Sequence, residues 1–150
     1  MGQRRRIIRN SFFRCVIRIS ILLTGTLVNV CAVPAVENPL ANHVAVYYFH
    51  GHFRCPTCLR MEQYAREAVE DNFRNELTSG KLTFKVVNVE EKGNEHFVND
   101  YQLYTKSLVI SLVENGKEVK YKNLDKIWAY ARNKEKYIDY VKDEIGNFLK

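Results

Sequence analysis

Two cysteines three positions apart, in Cys55-Pro56-Thr57-Cys58, stand where a run of strand formers gives way to an amphipathic helical pattern. The strand run is Val44 to Phe49, and the helical pattern opens at Pro56. Proline suits the first helical position, because the N–H it lacks would have no partner there, and Cys55 is left to start the helix. Thiols spaced this way are close enough to close a disulfide. They also meet the partial positive charge of a helix N-terminus, which lowers a thiol's pKa.

The chain's other cysteines, Cys15 and Cys31, belong to a different kind of segment. The first 35 residues hold Arg4, Arg5, Arg6, Arg9, Arg14 and Arg18, and the first carboxylate is Glu37. Those arginines account for the whole formal charge of +6, since residues 36–150 carry 17 basic and 17 acidic side chains. The basic balance therefore gives no ground for a nucleic-acid-binding surface. An uncharged stretch, Ile19 to Val36, follows the arginines and ends on small residues at Ala32 and Ala35. This reads as a secretory signal cleaved after Ala32 or Ala35. The same stretch also reads as an uncleaved membrane anchor, because about 18 uncharged residues just span a bilayer. Either way the arginines stay cytoplasmic and the rest lies outside, so the expected location is extracytoplasmic, in the periplasm. The expected organisation is a signal peptide or anchor over 1–35, a tether over 36–42, and one domain over 43–150. Cys15 and Cys31 go with the leader, so Cys55 and Cys58 must carry any thiol chemistry of the domain.

Within the domain, His43 to His50 fits a strand buried on both faces. Met61, Ala65, Ala68, Val69, Phe73 and Leu77 recur at helical spacing, with Glu62, Arg66, Glu70 and Arg74 on the outside, up to Ser79-Gly80. Leu82 to Val89 is a second strand, Asn94 to Tyr101 a short helix and Leu108 to Val113 a third strand. Asn115-Gly116 is a hairpin signal, with Lys117 to Tyr121 returning beside the third strand. A long final helix runs from Leu124 to Phe148, its apolar face including Trp128 as a core residue. The alternation of early elements implies a parallel crossover, and the late hairpin adds an antiparallel edge. The expected fold is a three-layer α/β/α arrangement around a mixed sheet of about four strands. A C-x-x-C pair at the first strand-to-helix junction of that pattern is a thioredoxin-like signature.

More specific motifs extend this. Tyr48-Phe49-His50-Gly51 precedes Arg54-Cys55-Pro56-Thr57-Cys58, and Val87-Asn88-Val89, Asn94-Glu95-His96-Phe97, Tyr101-Gln102-Leu103-Tyr104, Asn123-Leu124 and Ile127-Trp128 follow. From about Val44 onward the chain resembles the bacterial nitroreductase-subunit-like ArsF family of thioredoxin-fold proteins. The family's label is no guide to cofactors: nothing here resembles a flavin or nicotinamide site, and no dissociable cofactor is expected.

In the thiol reading, Cys55 is the nucleophile and Cys58, one turn in and more buried, the resolving thiol. Arg54 adds a full positive charge beside them. His50 either takes a proton from Cys58 or stabilises the Cys55 thiolate. Alternatively, Cys55, Cys58, His50 and His52 form a mixed nitrogen and sulfur site for zinc or copper. His96 reads as packing or capping near the short helix.

Two departures from ordinary thioredoxins weigh against a general reductase. Their cis-proline opposite the cysteines is replaced by Thr105-Lys106-Ser107-Leu108, where a cis bond would cost about 3 kcal/mol, so a trans backbone is expected. Thr105 or Ser107 is then placed to present a hydroxyl to the thiols, and the cysteines are more open to metal. The buried acid of their first strand is replaced by Phe49. The function expected is an exported thiol–disulfide oxidoreductase or thiol relay, its partner the thiols or disulfides of an exported or membrane protein. The competing readings are a soft-metal or arsenite binder without turnover, and a non-catalytic adaptor whose disulfide is structural.

Overall fold

The computed structural model describes residues 42–150. The proposed signal or anchor over 1–35, with Cys15 and Cys31, and the tether up to residue 41 lie outside the described residues. Among the described residues no helix is long and apolar enough to cross a membrane.

The elements run β1 (His43–His50), α1 (Pro56–Asn72), α2 (Arg74–Thr78), β2 (Leu82–Asn88), α3 (His96–Asp100), β3 (Ser107–Glu114), β4 (Lys117–Asn123), α4 (Ile127–Tyr130) and α5 (Lys134–Phe148). They build one sheet in the order β2-β1-β3-β4. β1 pairs parallel with β2, His50 lying opposite Asn88, and antiparallel with β3, Phe49 lying opposite Ser107. β3 pairs antiparallel with β4 across Asn115-Gly116, whose φ values of 53° and 75° put both residues in the left-handed region a tight hairpin needs.

Because side chains alternate along a strand, β1 feeds two cores. Val44, Val46 and Tyr48 point to one face and pack with Met61, Ala65 and Val69 of α1 and Tyr137, Val141 and Ile145 of α5. Phe49 points to the other face and joins Val109, Tyr101 and Leu103, with Tyr47 and Phe97 against them. The rings of Phe49 and Phe97 lie 5.2 Å apart, and those of Phe49 and Tyr101 5.5 Å apart. Helices on both faces of a mixed sheet make the three-layer thioredoxin-like arrangement expected from the order of elements. Its unbroken apolar run leaves β1 no solvent face, which suits it to the centre of the sheet.

The structure corrects three expectations. The first long helix is two: α1 ends at Phe73, whose φ of −130° and ψ of 35° break the helix. That break turns the Phe73 ring into the main core. The final helix is also two, because Asn133 is extended and its side chain accepts a hydrogen bond from the Lys136 N–H at 3.0 Å, restarting the chain as α5. Trp128, on the separate short α4, is 41 % exposed rather than core. Its neighbours Leu124 and Ile127 fill the core in its stead.

Burial pushes the Tyr137 phenol up in pKa, and its hydroxyl is buried with no hydrogen-bond partner. A buried hydroxyl left unpaired costs about 1–3 kcal/mol. Tyr137→Phe should therefore leave the domain at least as stable as the native chain in urea unfolding, and a loss of more than about 1 kcal/mol would show that the hydroxyl has a partner. Asn133→Ala, which removes the cap of α5, should by contrast lose about 1 kcal/mol in the same measurement.

Candidate active site

Cys55 and Cys58 are joined in a disulfide with their Cα atoms 5.0 Å apart. Cys55 is the N-cap of α1, extended at φ −76° and ψ 157°, and Pro56 follows as the first helical residue. The Cys58 N–H points at the Cys55 sulfur, at 3.1 Å. A sulfur thus stands where a serine or aspartate oxygen would normally cap a helix, and a thiolate there would be held by a free N–H and the helix dipole. The first turn of α1 contains no acidic residue to oppose this. Cys55 is half-buried, whereas Cys58 is 2 % exposed, so one sulfur can meet a partner and the other cannot.

The inner wall beneath the pair is Tyr48, whose hydroxyl donates to the Cys58 carbonyl at 2.7 Å. Burial pushes the Tyr48 phenol up to about 12, against a smaller downward pull from Arg54. The phenol therefore keeps its proton at neutral pH and keeps donating. The strand is tied to the redox turn by this bond, a role the sequence did not reveal because Tyr48 reads as one more apolar residue in a buried run.

Arg54 turns inward to Glu62, with which its Nη2 forms an ion pair. The two side chains are only 26 % and 18 % exposed, so Glu62 does not lie on the outer face of the helix as expected from its spacing. The Arg54 Nη1 meets the His50 Nε2 at 3.2 Å, while the His50 Nδ1 lies 2.9 Å from the Gly51 carbonyl. A carbonyl only accepts and a guanidinium only donates, so His50 carries its proton on Nδ1 and offers a lone pair on Nε2. Both ring nitrogens are thus occupied.

His52 goes elsewhere. Its backbone N–H donates to the Glu90 Oε2 at 2.7 Å, and its Nδ1 pairs with the same carboxylate. Among the described residues no three His, Cys, Asp or Glu side chains are placed to hold one metal ion. The set of Cys55, Cys58, His50 and His52 therefore does not converge: His50 is engaged by Arg54 and His52 by Glu90. His96 pairs with Asp100 at 2.7 Å on the exposed side of α3.

The Thr105-Lys106-Ser107 segment runs with trans peptide bonds. Ser107 is buried and its hydroxyl donates to the Thr105 carbonyl at 2.9 Å, so its proton is already engaged by the loop backbone. Two other contacts fix the loop. The Trp128 Nε1–H donates to the Lys106 carbonyl at 3.0 Å, and the Lys106 ammonium sits 5.9 Å from the centre of the Phe53 ring. A cleft of about 380 Å³ lies on one side of the loop, bordered by Tyr104, Lys106, Tyr121, Asp125 and Trp128. A smaller one of about 160 Å³ lies on the other side, bordered by His50, Gly51 and Glu90. Phe53 and Tyr104 stand largely in solvent beside them.

No protein-family profile matches the sequence, and no curated protein matches it. Among solved structures, the chain is similar to thioredoxin O2 of Arabidopsis thaliana in the oxidised state at 13 % identity, with 63 % of this chain and 74 % of that one covered and a TM-score of 0.38. It is similar to Fasciola hepatica thioredoxin at 16 % identity, covering 63 % and 81 % with a TM-score of 0.37. It is also similar to oxidised Plasmodium falciparum thioredoxin at 19 % identity, covering 67 % and 86 % with a TM-score of 0.38.

Glu90 closes the loop ahead of the cysteines. It lies so close to Gly51 that a Cβ at that position would overlap its carboxylate. Hydrogen bonds from the His52 backbone and ring hold the Glu90 carboxyl below its ordinary value of 4.5. A carboxyl with a depressed folded pKa adds stability above its unfolded pKa and loses it as pH falls through the folded value. The melting temperature of the native chain should therefore exceed that of Glu90→Gln at neutral pH. The gap should shrink as pH drops below about 4.5. An unchanged gap down to the acid limit would show that the clamp contributes nothing.

Proposed function

We propose that this chain is a thiol–disulfide oxidoreductase, or a thiol relay, working through Cys55 and Cys58. The observation that carries this reading is the Cys58 N–H aimed at the sulfur of a half-exposed Cys55, with Cys58 buried behind it. In the oxidising half of a cycle, the Cys55 thiolate attacks one sulfur of a partner disulfide. A mixed disulfide forms and the partner's other sulfur leaves as a thiolate. Cys58 then gives its proton to solvent and attacks the Cys55 sulfur. The Cys55–Cys58 bond forms, the second partner sulfur leaves and takes up a proton, and the partner is reduced by two electrons. The same steps in reverse oxidise a partner dithiol.

The first-strand acid of ordinary thioredoxins is absent here, and Arg54, the residue before Cys55, is instead paired with the half-buried Glu62. This supports a dedicated partner over a general reductase. Phe53, Tyr104 and Trp128 stand exposed around the loop opposite the cysteines, which suits a polypeptide partner with apolar side chains near its disulfide.

The finer placement is part of the same proposal. The motifs around Cys55, with Asn94-Glu95-His96-Phe97 and Tyr101-Gln102-Leu103-Tyr104, support membership of the ArsF-like branch. The arginine-rich, acid-free start followed by an uncharged stretch supports export, with the domain acting in the periplasm either freed or tethered by that stretch. Its partners would then be exported or membrane proteins.

Cys58→Ser should trap partners as mixed disulfides on Cys55, visible as adducts on non-reducing gels of cell envelopes and lost in Cys55→Ser/Cys58→Ser. Envelopes free of such adducts, with the variant folded and present, would overturn the exchange reading.

A further inference from the structure

The Arg54–Glu62 pair lies against the redox turn without being part of the exchange itself. Arg54 is the residue before the attacking cysteine, and Glu62 is one helical turn beyond the resolving one, on the same side of α1. The guanidinium is not out in water. Its charge reaches the Tyr48 phenol, whose hydroxyl is bonded to the Cys58 carbonyl. Its Nε–H is buried and has no acceptor. The fixed positive charge therefore stands on the inner side of the cysteine pair, in surroundings where charges are weakly screened.

Left alone, that charge would add to the helix dipole and favour a thiolate strongly. Glu62 opposes it. Its carboxylate takes one arm of the guanidinium, and His50 takes another through a lone pair that carries no charge. Of the two, only Glu62 offsets the charge. A second cation at Glu62, the Arg66 Nη2 at 3.7 Å, is on the exposed face and more open to solvent.

We propose that Glu62 is a positioning residue that sets the acidity of the thiols and the reduction potential of the pair. It fixes Arg54 against the inner wall and cancels most of its charge, which holds the pair more reducing than its helix-start position and neighbouring arginine would make it. This rests on the exchange reading for its purpose, but not for its measurement, which concerns only the protein's own sulfurs.

The test is the pH dependence of Cys55 alkylation in the reduced full chain, with equilibration against glutathione. There the dithiol passes two electrons and two protons to glutathione disulfide, forming the Cys55–Cys58 bond and two glutathione thiols. Glu62→Gln keeps the size of the side chain and removes its charge. It should lower the Cys55 pKa by about one unit, a tenfold shift. Because the reduced form gains, it should also shift the glutathione equilibrium about tenfold toward the dithiol, or about 30 mV. Arg54→Gln should move both quantities the other way. Removing both charges together should return them to within about threefold of the native chain. An unchanged pKa and equilibrium in a folded Glu62→Gln, or a double variant that behaves like Glu62→Gln alone, would overturn the proposal. If Glu62→Gln does not fold, Arg54→Gln against the double variant carries the same comparison, and equality of those two overturns it. Loss of partner adducts with these shifts intact would count against the exchange reading and leave the role of Glu62 standing.

Discussion

The position of β1 is what the site depends on. It is hydrogen-bonded along both edges and covered on both faces, with Val46 and Tyr48 at 0 % exposure and Phe49 at 1 %. A strand held on all four sides cannot shift along its axis without breaking two ladders and two cores. Its carboxyl end therefore delivers His50 and Gly51 to a fixed point, and α1 must begin a few residues later. The Tyr48 hydroxyl carries that fixity across to the Cys58 carbonyl. The geometry of the sulfurs is thus inherited from the middle of the sheet.

Electrostatically the site separates two jobs. Backbone N–H groups at the start of α1 act on the outer sulfur, and they come with the helix in any sequence that starts there. The inner side is furnished by side chains, a tyrosine, an arginine, a glutamate and a histidine, which substitution can change one at a time. On that inner side the half-buried carboxylate of Glu62 is paired with Arg54, the residue before the attacking sulfur. The outer carboxylate, Glu90, serves the loop instead.

Much of this arrangement was legible in the residues, and the parts that were not have physical reasons. The unbroken apolar run of β1, the Pro56 start and the Asn115-Gly116 turn each name their structure, because each rests on a local rule. The sequence separation of β1 and β2 by a helical pattern implied their parallel pairing. The breaks at Phe73 and Asn133 were hidden, since the apolar spacing continues across both and only the packing decides where the backbone bends. Trp128 was misplaced for the same reason: continuing the α5 face backward through Asn133 assigns it to the core. Glu62 looked solvated because helical spacing describes a helix in isolation, and its partner Arg54 lies before the helix starts. The pairing of His52 with Glu90 was equally out of reach, because it links two loops whose approach depends on the parallel register of β1 and β2.

Trp128 is the only tryptophan in the chain, and its indole N–H is bonded to the backbone of the loop that faces the cysteines. Every photon of indole emission from this protein therefore originates at one partly exposed ring resting on the Lys106 backbone. Anything that enters the cleft this ring borders can therefore be followed by light without attaching a dye.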